Sequence, residues 1–172
     1  MPVTKISLDK AKPEKLFYFV ANVVVYRESD GRCLILKRHE REITHPGKWC
    51  VPGGKLEWAN LDITQPHDMH DDVPAFENMA EDLLVREVRE EAGVEIALPL
   101  HYLRSVAFVR PDNVPVMLII FAVKYKSGKV KIEADSFTDF AWVNAEEVMG
   151  YDCIDGNRQE IAAAIKHFQN SR

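Results

Sequence analysis

Three glutamates stand close together in the most helix-prone stretch of the chain. Glu87, Glu90 and Glu91 follow the spacing i, i+3 and i+4, which places their carboxylates within one narrow sector of a helix surface. Like charges at this spacing repel each other unless a cation lies among them. Hard oxygen ligands of this kind favour Mg²⁺, which also accepts substrate phosphate and water. The spacing therefore predicts a divalent metal site or, as the alternative, a solvated acidic face with Arg86 and Arg89 as local partners.

A glycine pair earlier in the chain could serve the same site. Gly53 and Gly54 follow a short apolar stretch at residues 49–51 and predict a tight turn with exposed backbone groups. Such a turn can approach phosphate oxygens or lend a carbonyl oxygen to a metal. Because turns use glycine everywhere, the pair indicates a metal or phosphate site only in combination with the glutamates.

The glutamates lie on the clearest predicted helix, residues 80–92, which has an apolar stripe and ends before Gly93. Two further helices are predicted at 145–149 and 157–168. Runs of β-branched and aromatic residues predict strands at 17–26, 33–36, 49–51, 102–109, 114–125 and 140–143. The simplest architecture for this order is an α+β fold with a mixed sheet covered on both faces.

Residues 58–77 show no period, and Pro66 and Pro74 exclude a helix there. We expect a long loop, which in a compact domain is functional or disordered. The loop contains side chains that bind transition metals, although a solvated loop is the favoured interpretation: His67, Asp68, His70, Asp71 and Asp72. A segment folded over the active site would act as a lid.

Composition limits the class of protein. A chain of 172 residues with 47% hydrophobic residues can form one core, so we expect a single domain over residues 1–172. Its 22 basic and 27 acidic residues give a net charge of −5, which offers no broad cationic surface for a nucleic acid polymer. The three cysteines have no CxxC spacing, and the longest apolar run is too short for a membrane span. We therefore expect a cytoplasmic protein with neither export nor membrane anchoring.

The glycine pair and the glutamates also occur in a known order. Residues 53–57 (GGKLE) followed by 86–94 (REVREEAGV) resemble the Nudix box, GX5EX7REUXEEXGU, where U is an aliphatic residue. The second half matches at every defined position, and residues 48–55 look like the usual approach to the box. The resemblance covers most of residues 17–169. It implies a Nudix-like α/β/α sandwich with a mixed β-sheet.

The resemblance has two departures. Asn78 stands where the family has its first glutamate, with Glu77 one place away. Gly54 and Asn78 are 24 positions apart instead of 6, which implies an insertion of 18 residues within the motif. Since the family's main metal ligands come from the second half, the departures predict weakened or altered catalysis and not its absence.

The resemblance also implies roles for the motif residues. Glu87, Glu90 and Glu91 would coordinate Mg²⁺, with Mn²⁺ as an alternative, and the Gly54 carbonyl would be a further ligand. One of the glutamates would act as general base, and Arg86 would hold the motif's geometry. The implied reaction is hydrolysis of a nucleoside diphosphate derivative, NDP-X, to NMP and P-X.

Substrate contacts are less closely specified. Arg38 and Lys55 could meet a phosphate, with surface charge as the alternative. Asn157 resembles a position that reads the base edge in MutT-type members, although a helix N-cap explains it equally well. A further acid often follows the motif, and Asp139 matches its usual place better than Glu133 or Asp135. The aromatic side chains of Tyr18, Phe19 and Trp49 could stack on a base, but strand packing is the favoured interpretation.

Several functions remain open at this point. The first is hydrolysis of a nucleoside triphosphate, a damaged nucleotide or a nucleotide sugar. The second is ADP-ribose pyrophosphatase activity, for which Pro111 lies near a subgroup's characteristic proline. The third is a non-catalytic nucleotide-binding or regulatory domain. A small nucleotide is the expected partner in each case, and a homodimer is left open.

Overall fold

The computed structural model describes residue 3 and residues 5–170, with the backbone alone at position 60. The predicted domain limits at residues 1 and 172 lie outside this part of the chain. Within it, the strands are β1 (Tyr18–Arg27), β2 (Arg32–Arg38), β3 (Trp49–Cys50), β4 (Gly53–Lys55), β5 (Asp68–His70), β6 (Val73–Ala75), β7 (Glu95–Val109), β8 (Pro115–Ser127) and β9 (Phe137–Val143). The α-helices are α1 (Met79–Ala92) and α2 (Asn157–Asn170), and 3-10 turns cover Pro13–Lys15, Trp58–Asn60 and Glu147–Gly150.

Strand β1 lies near the middle of a seven-stranded sheet. It runs parallel to β8 from the pair Tyr18–Val116 to the pair Tyr26–Lys124. On its other side it pairs antiparallel with β2 close to the hairpin turn and with β4 farther along. Strand β7 extends the sheet beyond β8, and β2 also carries β3 and β9. The sheet is therefore mixed, as predicted.

Alternate residues of β1 belong to two separate cores. Val23 and Val25 pack in one cluster with α1, whereas Val24 and Tyr26 pack in a second cluster with α2. This division follows from the two-residue period of a strand. The helices bury their apolar stripes on opposite faces of the sheet: Leu83, Leu84, Val88 and Ala92 from α1, and Ile161, Ala164, Ile165 and Phe168 from α2. The predicted α+β fold, an α/β/α sandwich, is confirmed.

The prediction of a structureless loop at residues 58–77 was wrong. After the turn at Trp58–Asn60, β5 and β6 form an antiparallel hairpin that is separate from the main sheet. Asp71 takes φ 55° in its turn, a conformation that aspartate tolerates better than most residues. Pro74 is accommodated because a two-stranded hairpin leaves each strand an unpaired edge. Hydrophobic periodicity does not predict this hairpin, because its turn and its strands depend on local backbone features.

Three other boundaries differ from the predictions. Strand β7 begins at Glu95, and its pairing with β8 shifts between Ala97 and His101; Pro99 in this stretch is tolerated because β7 is an edge strand. Strand β9 begins at Phe137, before the predicted residue 140. The predicted helix at 145–149 is the 3-10 turn Glu147–Gly150.

The three cysteines lie in the interior of the fold. Cys33, Cys50 and Cys153 are all buried and none forms a disulfide. Among the described residues, no helix has the length and apolar character needed to cross a membrane.

Candidate active site

Helix α1 presents its glutamates to the neighbouring strand β4. The helix lies between two residues with left-handed backbone, Asn78 at φ 57° and Gly93 at φ 67°. Leu84 and Val88 lie on the buried face of α1. Glu87 and Glu91 lie at the edge of this face and contact the glycines of β4. Asparagine adopts the left-handed conformation more readily than most side chains, which gives a physical reason for Asn78 in place of the glutamate of the Nudix pattern.

The glycine pair brings the backbone of β4 close to α1. Gly54 pairs with Ala21 and Gly53 with Asn22 of β1. A Cβ atom on Gly54 would lie 2.6 Å from Oε1 of Glu87, closer than packed atoms come. The absence of a side chain therefore allows the β4 backbone to approach the Glu87 carboxylate.

Glu91 has the most perturbed carboxyl group of the site. Although the residue is only partly buried overall, burial of its carboxyl raises the pKa to about 8. The backbone N–H of Gly53 donates to Oε2 of Glu91 at 3.0 Å and lowers the pKa, while the charges of Glu87 and Glu133 raise it further. The carboxyl group of Glu91 therefore lies near two other acidic side chains, those of Glu87 and Glu133.

Glu87 is the second carboxylate of this group. Burial raises its pKa, and Arg86, whose Nη2 lies 3.1 Å from Oε1 of Glu87, lowers it. The charges of Glu90 and Glu133 raise it again. Arg86 therefore contacts a motif glutamate, in the way that the resemblance implies for a residue that holds the motif's geometry.

Glu133 reaches the site through backbone pairing with the end of α1. The N–H of Lys131 donates to the carbonyl oxygen of Ala92 at 2.9 Å, and that of Glu133 donates to the carbonyl of Glu91 at 3.0 Å. These bonds join the segment after β8 to the helix. They place an acidic residue beside Glu87 and Glu91 that the sequence pattern alone did not single out.

The other two acids considered for this role lie elsewhere. Asp135 forms an exposed ion pair with Arg41 at 2.8 Å. Asp139 is on β9 opposite Lys37, and its Oδ1 accepts the N–H of Phe140. The assignment of Asp139 to the site therefore stays a prediction, whereas the backbone pairing with α1 favours Glu133.

The donor set of the site fits a divalent cation. The charges of Glu87 and Glu133 raise the pKa of Glu91, and the charge of Glu133 also raises the pKa of Glu87. Carboxylate oxygens with like charges around a backbone turn are ligands of the kind that Mg²⁺ prefers. Glu90 is exposed at the rim of this group and contributes through its charge on Glu87.

Two predicted substrate contacts lie beside the group. Arg38 donates to the carbonyl oxygen of Thr44 at 2.9 Å and to Glu42, and its charge lowers the pKa of Glu91. Lys55 is exposed and follows Gly54 at the end of β4. The phosphate contacts predicted for these two residues stay predictions, and Arg38 already has Glu42 and Thr44 as partners.

Asn157 is not placed to read a base, contrary to our prediction. The residue is 4% exposed, and its Nδ2 donates to Oε2 of Glu160 at 2.8 Å. Glu160 also accepts from Arg104 at 2.7 Å. The amide nitrogen is thus used inside the fold at the start of α2, while Oδ1 is buried with no hydrogen-bond partner.

The hairpin of the insertion has a separate set of metal-binding side chains. One ligand atom each of Asp68, His70 and Glu77 lie within 4.8 Å of one another, and all three residues are exposed. The backbone N–H of Glu77 donates to Nδ1 of His67 at 3.1 Å. Glu77 therefore faces the hairpin in this structure, which does not support its use in place of the missing motif glutamate.

Comparisons with known proteins agree with the fold and the motif. The sequence model of one family, described as NUDIX domain, matches residues 18–165. The chain is 27% identical over 143 residues to the nucleoside triphosphatase NudI of Escherichia coli K12, covering 78% of this chain and 88% of that protein.

Solved structures share the architecture. A MutT NUDIX hydrolase from Burkholderia pseudomallei has a TM-score of 0.63 at 18% identity, covering 86% of this chain and 97% of its own. The NUDIX domain of Shewanella oneidensis NrtR, complexed with ADP ribose, has a TM-score of 0.64 at 17% identity, covering 94% and 96%. From the family match over most of its length and the intact second half of the motif, we conclude that this chain belongs to the Nudix hydrolase family.

Proposed function

We propose that the protein is a Mg²⁺-dependent hydrolase that splits NDP-X into NMP and P-X, with nucleoside triphosphates as the first substrate class to test. The observation that carries the proposal is the convergence of Glu87, Glu91 and Glu133 beside the Gly53-Gly54 turn. The name of the NudI relative supports the choice of nucleoside triphosphates. Nucleotide sugars follow as a second class.

The proposed mechanism assigns the binding role to residues of α1 and its neighbours. Glu87, Glu91 and Glu133 would hold Mg²⁺, with the Gly54 carbonyl oxygen as a further ligand. When bound, the cation neutralises charge on the phosphate oxygens and orients the attacking water. Neutralised charge and a fixed nucleophile are the main requirements of substitution at phosphorus.

The remaining steps are made by the chain itself. Water oxygen forms a bond to phosphorus as the bond to the bridging oxygen breaks, and one of the motif glutamates accepts the water proton. Arg38 and Lys55 would offset the negative charge of the phosphates from either side. Arg86 would act as a positioning residue through its contact with Glu87.

A panel of nucleotides tests the proposal. Wild-type protein with Mg²⁺ should release NMP from at least one nucleoside triphosphate or nucleotide sugar, and EDTA should stop the reaction. The Glu87→Gln variant should lose at least about 100-fold in kcat/KM. Asp82→Asn, an exposed carboxylate on the same helix, is the matched control and should keep wild-type activity.

Two other outcomes would replace the proposal. Turnover of ADP-ribose alone would make the protein an ADP-ribose pyrophosphatase. Thermal stabilisation by nucleotides with no turnover would indicate a binding or regulatory domain.

A further inference from the structure

A cavity of about 730 Å³ opens beside β4. Its volume is within the usual range for pockets that hold small molecules. The lining is mainly apolar and aromatic, with contributions from Leu16, Phe17, Phe19, Leu56, Trp58 and Met79. Lys55 and Glu57 provide charged groups in the wall.

Much of the cavity is formed by parts of the chain outside the motif, beside Lys55, Leu56 and Glu57. Leu8, Pro13, Leu16 and Phe17 form one side, and Trp58, Ala59 and Leu61 at the start of the insertion form another. Val114 and Pro115 close it at the start of β8. The insertion therefore adds a wall to a binding pocket as well as lengthening the motif.

The cavity shares β4 and α1 with the candidate active site, since Lys55 and Met79 both line it. Lys55 lines it and directly follows Gly54, and consecutive Cα atoms are about 3.8 Å apart. The N–H of Leu56 donates to the carbonyl oxygen of Phe19 at 3.0 Å, which fixes this part of the wall to β1. The cavity and the glutamates therefore lie on the same strand and the same helix, which is the placement required for a ligand that contacts both.

The aromatic side chains of the lining are exposed to an unusual degree. Trp58 and Tyr18 are each 52% exposed, and Phe17 is 48% exposed. A cluster of large exposed apolar groups of this kind marks a binding surface. In a nucleotide the base is the one part with apolar faces, while the phosphates need charge and metal. Stacking of a base on an aromatic ring strengthens binding by roughly 5- to 150-fold.

We propose that this cavity, formed by the N-terminal segment and the insertion, holds the nucleobase of the substrate, with Trp58 as the stacking face. Glu57 then offers an acceptor to the polar edge of the base, while Lys55 stays with the phosphates. The class of ligand in this assignment rests on the proposed function, the hydrolysis of nucleotides. The assignment also gives the insertion a role in binding the base.

Kinetics of the Trp58→Ala variant test the assignment. With Mg²⁺ and the best of the four ribonucleoside triphosphates, KM should rise at least about 10-fold while kcat stays within about threefold. Inorganic tripolyphosphate, which has the phosphates without a base, should bind both proteins equally in a competition assay. Trp58→Phe should restore most of the affinity, because it keeps an aromatic face.

Two further variants keep the test decisive. Ala59→Trp fills the cavity from an exposed turn and should raise KM even if Trp58→Ala does not fold. Val73→Ala removes an equally exposed apolar side chain, 56% exposed, outside the cavity lining, and should leave KM unchanged. An unchanged KM in both cavity variants, or an equal loss of tripolyphosphate binding, would overturn the assignment.

Binding measurements separate this assignment from the proposed function. If nucleotides are hydrolysed but Trp58 has no effect on KM, the cavity assignment fails and the hydrolase proposal stands. If no nucleotide is hydrolysed, calorimetry with ATP and Ca²⁺ still decides: weaker binding to Trp58→Ala supports the cavity as a base site, and equal binding rejects it.

Discussion

Each of the two helices carries a glutamate whose carboxyl group lies deep in the fold, and the two differ in the charges that surround them. Glu160 on α2 is 3% exposed. Its Oε1 accepts from Nη2 and Nε of Arg104 at 2.7 and 3.1 Å, and its Oε2 accepts from Asn157 at 2.8 Å. A buried carboxylate with a guanidinium and an amide donor is satisfied within the protein.

Glu91 on α1 has the opposite environment. It accepts one backbone hydrogen bond, from Gly53, while Glu87 and Glu133 add charges of its own sign. Arg38 opposes them and has the smallest of these effects on the Glu91 pKa. The cost of such an arrangement points to a ligand that supplies positive charge. The two glutamates therefore differ in their charge environment and not in the burial of their carboxyl groups, which is the basis for assigning Glu91 to the proposed metal site.

The largest expected effect is the loss of activity on neutralising the α1 glutamate. Glu91→Gln should lower kcat/KM by at least about 100-fold, because a charged metal ligand is removed. Steady-state kinetics with Mg²⁺ and a nucleoside triphosphate measure it, and circular dichroism should show an unchanged fold. Activity within threefold of wild type would remove Glu91 from the site.

Removing Arg104, the partner of Glu160 on α2, should lower the stability of the protein. Arg104→Met should lower the free energy of unfolding by about 2 kcal/mol, less than for a fully buried pair because the Arg104 side chain is 46% exposed. Urea denaturation measures the change. Arg104→Lys, which keeps the charge but not the forked geometry, should lose less. Equal stability of all three proteins would contradict a structural role for this pair.

The acids after β8 allow a sharper comparison within the α1 site. Glu133→Gln should reduce kcat/KM by roughly 10-fold, because this residue alone of the three candidates lies beside Glu87 and Glu91. Asp135→Asn and Asp139→Asn are matched controls that should stay within about twofold. A larger loss in Asp139→Asn than in Glu133→Gln would reverse the assignment.

The last prediction concerns the free energy of unfolding of the metal-free protein, which should change by a small amount with each pH unit. The pKa of Glu91 is raised from 4.5 to about 8 on folding, so the unfolded chain releases this proton first as the pH rises. Stability in EDTA should therefore fall between about pH 4.5 and pH 8, by about 1 kcal/mol per pH unit. In Glu91→Gln the slope should be smaller, with the raised pKa of Glu87 accounting for what remains. Thermal unfolding at a series of pH values measures it, and an unchanged slope would contradict the assignment to Glu91.

Much of the fold could be predicted because its signals are local. The hydrophobic period of residues 80–92 and the left-handed Gly93 define α1, and the turn at Ser29-Asp30-Gly31 defines the first hairpin. The glutamates of α1 and the glycine pair could be identified for the same reason, since spacing along one helix and one turn is sufficient.

The other parts of the site depend on pairings between distant segments. Glu133 lies beside Glu91 because of backbone bonds to the end of α1, and no spacing in the sequence indicates them. The amide nitrogen of Asn157 donates to Glu160, three residues along α2. Glu160 in turn accepts from Arg104 of β7. The cavity beside β4 combines residues from separate regions of the chain. Sequence patterns therefore did not predict its aromatic lining.

Crystals grown with Mn²⁺ would test the central claim most directly, since anomalous scattering locates the ion. We predict a peak bounded by the carboxylates of Glu87 and Glu91 and the carbonyl oxygen of Gly54, and no such peak in the Glu91→Gln variant. A wild-type crystal with Mn²⁺ only at Asp68, His70 and Glu77 of the hairpin, and none at the α1 glutamates, would contradict it.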